Sequence, residues 1–129
     1  MSIFLDSKKA FIKGSVGPRS VADNNPEDVK KVKSAFKLLH DIARIIPIGY
    51  KVPRSFLDYP EINSFNPDCG VASDVFVSVV RKFVLTHYSQ QSKELPNIAI
   101  LRPWDSASYD LMKSAGDALK LLAKPICQN

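Results

Sequence analysis

The sequence predicts a mainly α fold, one compact three-helix domain with long ordered loops and at most a short β-ribbon. Three observations carry this. Three stretches repeat apolar residues at steps of three and four, the spacing of a helix that buries one stripe. Each stretch opens on residues suited to a helix start. The segment between the first two is rich in both proline and aromatics, which makes it irregular but packed. With 129 residues, 45% of them hydrophobic and 24% charged, the chain has the size and composition of one domain that folds without staples.

The first helix is the best marked. Asn25 is a strong N-cap, Pro26 suits the first helical position because its missing N–H is not needed there, and Glu27 and Asp28 favour the positive helix end. Val29, Val32, Phe36, Leu39, Ile42 and Ile45 then form an apolar stripe, and Pro47 and Gly49 stop the helix. Before it, residues 1–14 are a lead-in segment with an extended stretch at Ala10-Phe11-Ile12, followed by a turn at Gly14-Ser15-Val16-Gly17-Pro18.

Residues 47–71 combine Pro47, Pro53, Pro60 and Pro67 with Tyr50, Phe56, Tyr59 and Phe65, and read as an ordered loop. A second helix opens near Ser73-Asp74 and runs through His87, with Val75, Phe76, Val79, Val80 and Phe83 as its buried face. Ile98-Ala99-Ile100-Leu101 is a candidate short strand. Asp105 or Ser106 caps a third helix whose apolar face is Leu111, Met112, Ala115, Leu119 and Leu122, with residues 116–129 as its end and tail.

Several function classes are disfavoured. No apolar run reaches the eighteen residues of a membrane span, so membrane insertion is not expected. The N-terminus lacks a secretory h-region, so synthesis in the cytoplasm is expected. Two cysteines and two histidines at unrelated spacings show no metal-ligand motif, and no phosphate loop is present, so neither metal nor cofactor is expected. The net charge of +5 suits a polyanionic partner as well as plain solubility. Lys30, Lys33, Lys37 and Arg44 read as a solvated positive stripe, and the linker between the first two helices is too long for a helix-turn-helix, which disfavours nucleic acid.

Cys69 most resembles a nucleophile, because Asp68-Cys69-Gly70 precedes a helix and a helix N-terminus can lower a thiol pKa. It needs a histidine. A continuous second helix would hold His87 roughly 25 Å away, and His40 could approach only through tertiary packing. A Cys-dependent hydrolase is therefore the least favoured reading. Cys69 and Cys127 read as free thiols, and no complete catalytic constellation emerges. Trp104 and the tyrosines at 50, 59, 88 and 109 can stack on sugar rings or anchor a partner. Trp104 stands out at the mouth of the loop leading into the third helix.

Three stretches together resemble the peptidoglycan-binding-like domains of bacterial wall hydrolases, phage lysins and secretion-system effectors. They are Ser15-Val16-Gly17 with Asn25-Pro26-Glu27-Asp28-Val29; Asp68-Cys69-Gly70 with Val79-Val80-Arg81-Lys82-Phe83-Val84; and Leu101-x-Pro103 with Ala107 and Leu111. The likeness spans about residues 15–115. Cys69 interrupts the family's Asp-Gly pair, Val84 stands for its Gln, Ala107 for its Thr, and the 47–67 loop is longer. The resemblance implies a non-catalytic module that docks peptidoglycan in a groove formed by Trp104, Tyr109, Arg102 and the Tyr50 loop, exported by a route that needs no signal peptide. The alternative on the same scaffold is a protein-interaction module, an effector adaptor or immunity protein.

Overall fold

The computed structural model describes residues 11–45, 59–91 and 93–123, with side chains at all of these except 45 and 120–123. Tyr50, the first part of the proline-rich loop, the Pro47-Gly49 stop and Cys127 lie outside the described residues. The architecture is mainly helical. Helix α1 is Pro26–Ile45, a short 3-10 helix is Pro60–Ser64, α2 is Asp74–Gln90 and α3 is Ser106–Ala123. Helix α1 packs on α3 and on the 3-10 helix, and α2 packs on both of these.

Helix α1 begins where its sequence signals stand. The first helical bond runs from the Val29 N–H to the Asn25 carbonyl at 3.0 Å, and Val29, Val32, Phe36, Leu39 and Ile42 are buried. Asp28 does more than favour the helix end. It is 1% exposed, and its two carboxylate oxygens accept the Lys13 N–H at 3.0 Å and the Gly14 N–H at 2.9 Å. The lead-in segment is thereby fastened to the first turn of α1. Two further pairings tighten it: Asn24 bonds both the N–H and the carbonyl of Gly17, and Asp23 accepts from Ser15.

The expected positive stripe is not a uniform solvated face. Lys33 is 5% exposed, and its ammonium donates to the Cys69 and Val71 carbonyls, both at 2.8 Å, while sitting 5.5 Å from the Phe76 ring centre. Lys37 donates to the Phe65 carbonyl. These cations satisfy loop carbonyls that would otherwise be shielded from water, so they are structural.

The described half of the proline-rich loop is packed, as its aromatics predict. Tyr59, Ile62 and Phe65 are buried, and Phe65 meets Phe36 and Phe76 at ring separations of 6.5 and 5.6 Å. Phe36 in turn meets Phe83 edge-on at 5.6 Å, which joins α1 to α2 through the loop. Helix α2 opens on Ser73, whose hydroxyl accepts the Phe76 N–H. Its buried face is Phe76, Val79, Val80, Phe83, Val84 and His87. Val75, expected in that face, is 45% exposed, because it lies in the first turn at the margin of the stripe.

Instead of a β-ribbon there is one isolated antiparallel bridge, Val16 with Leu101, made of two backbone bonds of 2.9 and 2.8 Å. No strand occurs among the described residues. Proline explains why the pairing stops. In that register Pro18 would face Ala99 and Pro103 would face Gly14, and neither proline has an N–H to extend the ladder. Asp105 rather than Ser106 caps α3: its Oδ1 accepts the Ser108 N–H at 2.8 Å. Leu111, Met112, Ala115 and Ala118 form the buried face, with Leu119 against it. No helix among the described residues is long and apolar enough to cross a membrane.

Candidate functional site

The four residues ahead of α3 form a tight turn. Asp105 Oδ2 accepts the Arg102 N–H at 3.0 Å, and the Asp105 N–H returns to the Arg102 carbonyl. Within this turn Trp104 adopts φ +68°, the left-handed region that disfavours any residue with a Cβ. Its indole is 66% exposed. A large apolar ring held in a costly backbone conformation and presented to solvent is unusual on both counts, and such strain gathers at functional positions.

Beside Trp104 opens a cavity of about 270 Å³. It is lined by Phe11 and Met112, by Trp104 and Tyr109, and by Asp105, Ser106 and Ser108. Tyr109 is 55% exposed. Ser108 is 1% exposed, and its Oγ is a buried polar atom with no hydrogen-bond partner.

Of the four residues expected in the groove, the structure brings Trp104 and Tyr109 together on this cavity. Arg102 is exposed and two positions away, tied in by its backbone but not part of the lining. Tyr50 lies outside the described residues. Phe11, Met112 and the two serines were not foreseen. Phe11 reaches the site because the Asp28 and Val16 contacts hold the lead-in segment against α3, which no local spacing reveals.

Next to the cavity the helices assemble three polar side chains. His87, 4% exposed near the end of α2, lies between two residues one turn apart on α3. Its Nε2 is 3.0 Å from Ser106 Oγ and its Nδ1 is 3.1 Å from Asp110 Oδ2. The ring is held by near-parallel stacking on Phe83 and an edge contact with Tyr88. Sequence reasoning considered His87 only as a partner for Cys69, and the continuous α2 between them agrees with the separation that ruled this out. Ser106 and Asp110 share a helix face at i and i+4, which was readable; their meeting with His87 was not.

Cys69 is a half-buried free thiol, and its described role is to offer its carbonyl to Lys33. No group of three potential metal ligands occurs among the described residues. Fold and site together define a small helical domain with an aromatic-flanked cavity at the head of its last helix. Comparison with protein-family models, with curated proteins and with solved structures finds no match.

Proposed function

We propose that this chain is a peptidoglycan-binding module that docks wall glycan or stem peptide against the cavity at the head of α3. The observation that carries this reading is the pair Trp104 and Tyr109, two exposed rings flanking one cavity. Aromatic faces suit the apolar faces of sugar rings.

The spatial arrangement of the three resembling stretches adds support. The Val16–Leu101 bridge joins the first to the third, and Gly70 of the second lies against Pro26 of the first. On this reading the module serves an exported effector or lytic enzyme.

Sedimentation with purified peptidoglycan sacculi tests the proposal. The protein is expected in the pellet, with Trp104→Ala and Tyr109→Ala left in the supernatant. Equal retention of Trp104→Ala, or of an unrelated protein of similar charge, removes it. A protein-interaction module is the second reading, favoured by the exposed Val71 and Val75 beside the α2 start. It predicts a stoichiometric protein partner whose capture survives Trp104→Ala and is lost with Val71→Asp.

A further inference from the structure

We propose that Ser106, His87 and Asp110 form an acyl-transfer site that cleaves short-chain carboxylic esters bound in the cavity at the head of α3. This goes beyond wall docking, which needs no chemistry, and does not depend on it.

The partners of the His87 ring assign the proton positions of its neutral form. A carboxylate only accepts, so the neutral imidazole carries its hydrogen on Nδ1, facing Asp110 at 3.1 Å. Its Nε2 lone pair then points to Ser106 Oγ at 3.0 Å, and the hydroxyl donates to it. A serine proton directed at an imidazole that is oriented by a carboxylate is the arrangement that turns a weak nucleophile into an effective one.

The placement suits catalysis better than bracing. Ser106 belongs to the cavity lining, whereas His87 is buried and outside it, so of the pair Ser106 is the residue that borders a molecule in the cavity. Asp105 already caps α3, so neither Ser106 nor Asp110 is required to close the helix end. The Ser106 and Ala107 N–H groups, in the first turn of α3, have no partner among the described residues. Of these two residues Ser106 lines the cavity at the positive helix end, where an oxyanion would develop, and Ala107 is fully buried outside the lining.

The cavity defines the substrate class. Its walls are chiefly Phe11, Trp104, Tyr109 and Met112, with the Asp105 carboxylate and no cation, which favours a neutral, apolar acyl group over an anion. About 270 Å³ admits a short acyl chain and part of its alcohol. The Ser106 proton passes to His87 Nε2 as Oγ bonds the ester carbonyl carbon. Collapse breaks the carbon–alkoxy bond, and the same proton goes to the departing alcohol oxygen. Water then attacks the acyl-serine and gives a proton to Nε2; release of the carboxylic acid returns that proton to Oγ.

Fluorophosphonate labelling and 4-nitrophenyl butyrate hydrolysis on the full chain test the site. The expected result is one adduct, located on Ser106 by mass spectrometry, and hydrolysis above the buffer rate. Ser106→Ala should remove both while keeping the circular dichroism spectrum of the folded parent, with a lower melting temperature because His87 Nε2 loses its partner. Asp110→Asn should lower kcat by about 100-fold or more with KM little changed, which a bracing role would not do. An unlabelled Ser106 in the folded protein, or equal hydrolysis by Ser106→Ala, overturns the proposal and leaves the three residues as an interhelical brace. Sacculus binding without labelling refutes this site alone; labelling without sacculus binding refutes wall docking alone.

Discussion

Gly70 lies so close to Pro26 that a Cβ on the glycine would sit 2.6 Å from the proline Cβ and 2.7 Å from its Cα. The loop before α2 therefore passes directly over the start of α1, and only a residue without a side chain fits. Gly70→Ala should cost about 1–3 kcal/mol, since a backbone rather than a flexible side chain must yield. A urea titration measures it, with a lower midpoint and unchanged slope expected.

Asp28 is the second structural anchor. Removing its carboxylate leaves the Lys13 and Gly14 N–H groups without their acceptors. Asp28→Ala should destabilise the fold by about 2–4 kcal/mol, the scale of two bonds to a buried charged acceptor. Asp28→Asn, which keeps one acceptor oxygen, should lose less. Thermal melting of the pair of variants orders them.

Lys33 separates a buried cation from a surface one. Lys33→Met keeps much of the volume but abandons the Cys69 and Val71 carbonyls, and should cost about 2 kcal/mol. Lys30, whose ion pair with Glu27 is exposed, should change stability by less than about 0.5 kcal/mol when replaced by Ala. Raising the salt concentration should diminish only the Lys30 effect.

Trp104 allows stability and binding to be moved apart. Its φ of +68° costs a non-glycine residue about 1–2 kcal/mol, while glycine adds roughly 0.5–1 kcal/mol of unfolded-chain entropy. Trp104→Gly should therefore melt at the parent temperature or slightly above. Its retention on sacculi should nevertheless fall, and a parallel fall in melting temperature would show the indole to be structural.

The sequence made the helices readable because their signals are local. Pro26, Ser73 and Asp105 mark helix starts within one turn, and the apolar stripes need no knowledge of what they pack against, whereas the Asn25 amide donates to Asp28 instead of capping and Asp28 reaches back to Lys13 and Gly14. Trp104 and Tyr109 were readable as candidates because a lone tryptophan beside a helix start draws notice. Lys33 was not, since a lysine on a helix looks solvated until the 69–71 loop crosses it. The His87 arrangement was hidden for the same reason: Ser106 and Asp110 declare their shared face, but the imidazole arrives from another helix.

The Val16–Leu101 bridge ties the segment before α1 to the segment before α3. Its two amides come from segments that precede different helices, so neither can open by fraying a helix end. Both lie where exposure to solvent deuterium requires the lead-in segment to separate from the α3 turn. Leu101 is three residues from Trp104, so slow exchange at its amide would tie the tryptophan's position to the opening of the whole domain rather than to motion of one loop.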